Sequence, residues 1–180
     1  GLKPGSRVFR TRAPLSVSLG PGLIGNIYDG IQRPLVELQK MGGAFIKRGA
    51  QVVPLPLTKK WHFIPKVKPK QQLTGGMIIG VVQESESLEH RILVPPDISG
   101  TVEWIAQEGD YTVEEVICRL TDGTELKMYH RWPARRARPF LKRQRITIPL
   151  ITGQRVIDTF FPIGKGGAAA IPGGFGTGKT

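Results

Sequence analysis

The residues best equipped to do chemistry are Gly173, Gly174, Phe175, Gly176, Thr177, Gly178, Lys179 and Thr180, which read GGFGTGKT. They fill every fixed position of the pattern G-x-x-x-x-G-K-[ST]. Glycines at these spacings let the backbone bend until successive N–H groups point at one anion, an approach that Cβ atoms would obstruct. A lysine beside that cradle sets its ammonium on the β- and γ-phosphates of a nucleotide, and the hydroxyl after it is placed as a Mg²⁺ ligand. The pattern thus gives Lys179 the catalytic charge, Gly173 to Thr180 the phosphate-binding role and Thr180 the metal. A glycine-rich turn before a basic residue is the plain alternative. Context favours the phosphate loop, because AAAI (Ala168 to Ile171) reads as a short buried strand running into it. The helix that would aim its positive end at the same anion falls past Thr180.

Other constellations carry less. His62, His90 and His130 stand far apart without cysteine partners, so each reads as a packed or surface histidine rather than a metal ligand. The acidic run ESESLEH (Glu84 to His90) reads as a solvated loop in preference to a cation site. No Ser/His/Asp arrangement follows from spacing. The run HRWPARRARPFLKRQR holds Arg131, Arg135, Arg136, Arg138, Lys142, Arg143 and Arg145 among Trp132, Pro133, Pro139 and Phe140. It admits two readings: a nucleic-acid stripe with aromatic stacking platforms, or an extended linker whose arginines pair with acidic neighbours while its aromatics pack. Pro133 and Pro139 block helix continuation and remove ladder donors, which favours the linker.

The elements that must position these residues belong to a turn-rich globular chain. Its hydrophobic fraction is 39% over 180 residues, too high for disorder. The one cysteine, Cys118, excludes an internal disulfide and a zinc finger. No apolar run approaches the roughly 20 residues that span a bilayer. The net charge of +12 is unevenly placed: residues 49–125 are net acidic, whereas 126–145 carry cations and no acid. Glycine and proline punctuate LGPGLIGNIYDGIQRPL (Leu19 to Leu35), the mark of tight turns around short strands. A short helix follows, with Pro34 at its first position, Leu35, Leu38 and Met41 on one face and Gly42 at its end. Trp61 and Phe63 alternate with Lys60 and His62, and MIIGVV (Met77 to Val82), HRILV (His90 to Val94) and GTVEWI (Gly100 to Ile105) read as strands. VICRL (Val116 to Leu120), a turn at Asp122 and Gly123, and ELKMYH (Glu125 to His130) predict a hairpin. The stretches leading to Met77 and to Val113 are faintly alike, hinting at a two-fold sandwich. Thr152 is placed to cap a helix whose Val156, Ile157, Phe160 and Phe161 share a face, and Pro162 and Gly164 stop it.

With these segments in view, PLSVSLGPGLIGNIYDGIQRPL (Pro14 to Leu35), GDYTVEE (Gly109 to Glu115) and PLITGQRVIDTFFPIGKGGAAAIPGGFGTGKT (Pro149 to Thr180) make the chain resemble the catalytic A subunit of archaeal and vacuolar rotary ATPases. The resemblance implies a mixed, β-rich fold: the end of an N-terminal β-barrel over 1–13, a connecting segment over 14–42, a barrel-sandwich bulge inserted over 43–140, and the start of a P-loop α/β nucleotide-binding domain over 141–180. It implies ATP or ADP and Mg²⁺ as ligands, and a parent enzyme coupling ATP hydrolysis or synthesis to H⁺ or Na⁺ transport. Its partners would be a B subunit in a hetero-hexameric head and the central and peripheral stalks. It would sit peripherally on the cytoplasmic face of a membrane without spanning it, and with no specific nucleic acid. Gly174 and Thr177 stand where the family commonly has Pro and Ser. The family's Walker B aspartate, catalytic glutamate and adenine-pocket aromatics lie beyond Thr180, so the chain reads as a fragment ending at the Walker A motif, inactive alone. An intein junction and a simple truncation account equally for that end. A basic nucleic-acid module using Arg131 to Arg145 is the alternative of a different class. A biotin or lipoyl carrier is a third, suggested by ILVPPDISGTV (Ile92 to Val102), which has no lysine for attachment.

Overall fold

The computed structural model describes residues 3–8, 10, 12–43, 45–46, 49–140, 142–174 and 176–178. Two compact units divide the chain, Gly1–Arg138 and Pro139–Thr180.

The first unit is organised by two four-stranded antiparallel sheets. One has the order β5-β4-β2-β7, built from β2 (Lys60–Pro65), β4 (Ile78–Ser85), β5 (Leu88–Leu93) and β7 (Gly109–Thr112). The other has the order β3-β6-β8-β9, built from β3 (Gln72–Leu73), β6 (Gly100–Ile105), β8 (Val116–Leu120) and β9 (Glu125–Lys127). Period-two alternation sets which side chains face inward: Trp61 and Phe63 are buried while Lys60 and His62 are exposed. Phe63, Leu73, Ile79, Val82, Ile92, Val102, Ile117 and Leu120 fill the space between the sheets. In β8 a bulge breaks the alternation. The register of β8 against β9 shifts between Val116 and Cys118, and there the consecutive residues Ile117 and Cys118 are both buried. Burial pushes the Cys118 thiol up to about 11, so it behaves as a small core hydrophobe.

Close approach fixes one glycine. A Cβ on Gly80 would overlap the Phe63 ring and crowd the Ile64 carbonyl. Phe63 is held from another side by Tyr111, edge-on at 6.2 Å between ring centroids.

The two-fold hint corresponds to a real feature. Reading the second sheet as β9-β8-β6-β3 repeats the first, β5-β4-β2-β7. The short strands β3 and β7 are exchanged between the halves. They are the strands that lead to Met77 and Val113.

The root of this sandwich is a separate ribbon, β1 (Ser16–Leu19) against β10 (His130–Pro133), with Val17 opposite Trp132. The outer edge of β1 is closed by one side chain: the Ser18 N–H donates to Gln32 Oε1 at 2.6 Å and Gln32 Nε2 donates to the Ser18 carbonyl at 2.7 Å. Gln32 takes a positive φ of 63° to reach it. Asp29 holds that turn by accepting the Ile31 and Arg33 amides.

Several expectations shift in detail. Helix α1 (Leu35–Gly42) starts one residue later than expected, because Pro34 has extended backbone and serves as the N-cap; Gly43, at φ 69°, supplies the C-cap in place of Gly42. The hairpin forms with Gly123 at φ 83°, but its second strand ends at Lys127, and His130 joins β10 instead. Among the described residues of 3–13 no strand forms.

In the second unit, β11 (Pro149–Leu150) pairs with β12 (Ile163–Gly164) around helix α2 (Arg155–Phe160). The helix cap differs from expectation. Gln154, not Thr152, is the N-cap, and Asp158 reaches back to accept the Thr152 N–H and hydroxyl and the Gly153 N–H. Those bonds hold the Asp158 carboxyl below the usual aspartate range. No described residue of this unit is buried. Ala168 to Ile171 form no strand, a correction with a simple cause: a strand exists only where a neighbour completes its ladder, and no described residue does.

Gly80→Ala is expected to destabilise the sandwich by about 1–3 kcal/mol, as overpacking does. A lower urea midpoint with unchanged slope checks it.

Candidate functional site

The glycine-rich loop is exposed throughout its described residues. Gly176 at φ 73° and Gly178 at φ 70° adopt left-handed backbone, which glycine alone takes without strain. The Thr177 hydroxyl donates to the Gly174 carbonyl at 2.8 Å and closes the turn. A Cβ added at Gly176 or Gly178 would meet no described atom, so it is the left-handed backbone rather than crowding that calls for glycine there. Phe175, Lys179 and Thr180, which carry the aromatic, the ammonium and the metal hydroxyl of the expected site, lie outside the described residues.

The arginine run divides. Arg136 forks onto Asp97 with two bonds of 2.6 Å and stacks over Trp132 at 4.7 Å; Arg138 lies over the same ring at 4.9 Å. Trp132 is 5% exposed and donates its Nε1–H to the Arg136 carbonyl. Arg136, Arg138 and Trp132 thus form a packed staple and offer no stacking platform. In the second unit Arg143 sits over the exposed Phe140 ring at 5.3 Å. The linker reading holds in part: Trp132 is packed and Arg136 is paired to Asp97, whereas residues 130–133 form strand β10 and Arg138 meets His130 Nε2 at 2.9 Å rather than an acid.

Among the described residues no group of three or more His, Cys, Asp or Glu is placed to hold a metal. His62 Nδ1 lies 3.0 Å from Asp110 and its Nε2 lies 3.2 Å from Glu108. Both neighbours raise its pKa above the ordinary histidine value, Asp110 more than Glu108. His130 is shifted the other way, by burial first and the Arg138 charge second. His90 is bonded to Glu84 at 2.9 Å.

Glu84 corrects the reading of ESESLEH as a solvated loop. Its side chain is 4% exposed and accepts two backbone amides from the turn at Gly22 and Ile24. Nothing local in the sequence signals this, because those partners lie about sixty positions upstream.

A cavity of about 540 Å³ opens between the root ribbon and the segment 51–57, lined in part by Ser16, Ser18, Gln32, Glu114, Tyr129 and Arg131. Its carboxylate is already engaged: Glu114 accepts Lys127 Nζ at 2.7 Å and the Tyr129 hydroxyl at 2.8 Å. The Lys127 bond, then the Tyr129 bond, hold Glu114 below the usual glutamate range.

Residues 52–135 match the family model described as the ATPsynthase alpha/beta subunit barrel-sandwich domain. Along its whole length the chain is 55% identical to the A subunit of the A-type ATP synthase of Hyperthermus butylicus, 56% to that of Desulfurococcus sp. strain SY and 57% to that of Thermococcus sp. strain KI. It spans about a third of these relatives, 31% of the first and 32% of the other two. No helix among the described residues is long and apolar enough to cross a membrane.

Two titrations follow. In NMR, His62 is expected to titrate above an ordinary histidine and His130 below it, and Asp110→Asn should bring His62 down. A raised folded pKa makes the His62 contribution to stability complete below the unfolded value and lost as pH rises through the folded one; for His130 the sign is opposite, with stability lost as pH falls. Glu114 has a depressed folded pKa, so its contribution is present above the unfolded glutamate value and disappears as pH falls through the lower folded one. Glu114→Gln should remove that acid-side dependence in urea titrations at successive pH values.

Proposed function

Because the chain belongs to the family of A-type ATP synthase catalytic A subunits, we propose that it supplies the phosphate-binding loop and the sandwich insertion of a rotary ATPase catalytic subunit. Identity of 55–57% along the whole chain to relatives bearing that name, in a chain that also carries GGFGTGKT, is the observation that supports the reading.

The residues suit the task by their chemistry. Gly176 and Gly178 take the left-handed backbone that glycine adopts without strain, and the sequence then offers an ammonium, Lys179, and a hydroxyl, Thr180. Gly173 to Thr180 would cradle the phosphates of ATP or ADP, Lys179 would neutralise charge developing on the β- and γ-phosphates, and Thr180 would hold Mg²⁺. The metal, when bound, draws charge from the phosphate oxygens. The parent enzyme would couple ATP hydrolysis or synthesis to H⁺ or Na⁺ transport. It would do so on the cytoplasmic face of a membrane, assembled with central and peripheral stalks and with a B subunit.

Within this reading, residues 1–13 end an N-terminal barrel, 14–42 connect it to the core, 43–140 form the bulge and 141–180 begin the nucleotide-binding domain. The second unit's exposed apolar side chains, Val156, Phe160, Phe161 and Ile171, are what an incomplete layered α/β domain leaves uncovered.

The test uses the complete protein, assembled with its partner. Lys179→Ala with Thr180→Val is expected to weaken Mg-ATP binding by about 100-fold or more, the scale of losing a preorganised charge contact. Undiminished binding refutes the reading. The 180-residue chain alone is expected to show no ATP turnover, and Lys179-dependent turnover by it would contradict the assignment of the remaining catalytic groups beyond Thr180.

A further inference from the structure

The turn at Gly20–Gly25 is pressed onto the sandwich from several directions. A Cβ on Gly22 would run into Pro56 and Trp61, and one on Gly20 would run into Tyr129. The Gly22 carbonyl accepts Asn26 Nδ2 at 2.8 Å. From strand β4, the nearly buried Glu84 side chain supplies the charged contact. Its Oε1 accepts the Gly22 N–H at 2.7 Å and the Ile24 N–H at 3.2 Å, while its Oε2 accepts the His90 Nδ1–H at 2.9 Å.

We propose that Glu84 is a latch: one nearly buried carboxylate that fastens the turn leading out of β1 to the sandwich, so that the turn opens only when this contact breaks. A carboxylate suits this because it is acceptor-only and takes several donors at once, and charge-assisted bonds are roughly twice as strong as neutral ones. Two backbone donors share one oxygen, so the contact fixes the position of the main chain without depending on any side chain of the turn. His90 occupies the other oxygen and fixes the carboxylate plane. The inference is independent of nucleotide binding.

Amide hydrogen exchange on the 180-residue chain tests it. In Glu84→Ala, the Gly22 and Ile24 amides should exchange about tenfold faster or more, the change expected when a hydrogen bond to a charged group is lost. The Val94 and Val102 amides, bonded inside the sandwich to Met77 and Gln71, should keep their rates. Glu84→Gln retains one acceptor oxygen for the two amides and should give a smaller acceleration confined to the same two positions. Unchanged exchange at Gly22 and Ile24 overturns the latch, and so does equal acceleration at Val94 and Val102, which would make Glu84 a general stabiliser. Should Glu84→Ala fail to fold, Glu84→Gln decides by the same comparison.

Discussion

Everything in the first unit rests on the apolar contact between two four-stranded sheets. Phe63, Ile79, Val82 and Ile92 from one sheet meet Leu73, Val102, Ile117 and Leu120 from the other, all buried. Each such side chain contributes about 1.5–3 kcal/mol relative to exposure, set against the entropy of ordering the chain around it. The contact tolerates little: Gly80 is glycine because Phe63 lies where its side chain would go. The bulge in β8 brings Ile117 and Cys118 inward together where strict alternation would have sent one of them to water. Because the interior is apolar, charged groups are displaced to the rim, where they do the tying. Asp97 takes Arg136, Glu114 takes Lys127 and Tyr129, and Glu84 takes the turn amides.

What could be read without coordinates follows physical range. The alternation at Trp61 and Phe63, the Asp-Gly turn and the β-branched runs are local signals, and the strands lie close to where those signals put them. Cap positions differ by one residue at Pro34 and Gly42 and by two at Thr152, because the backbone is extended at Pro34 and Gln154 and no side chain caps either helix start. The Asp158 reach-back to Thr152 and Gly153 competes directly with the expected arrangement. Glu84 was illegible for a different reason. Its run ESES looks like any solvated acidic loop, and only the fold brings Gly22 and Ile24 to it.

The candidate site was legible as composition and only partly as geometry. GGFGTGKT stands out by its spacing, and of its described residues Gly176 and Gly178 take left-handed backbone. The AAAI segment reads as strand by apolarity alone, yet a strand is a relation between two chains of hydrogen-bonding groups, and apolarity says nothing of the partner. The arginine run shows the converse: a stripe of cations suggested a ligand, whereas Trp132 and Asp97 had already claimed Arg136.

The exchange of β3 and β7 between the two sheets has a mechanical meaning. Each half of the sandwich lends one short strand to the other, as interlocked fingers do, so neither half can peel away without tearing ladders in both. The sandwich is therefore one interlocked body rather than a pair of hinged leaves.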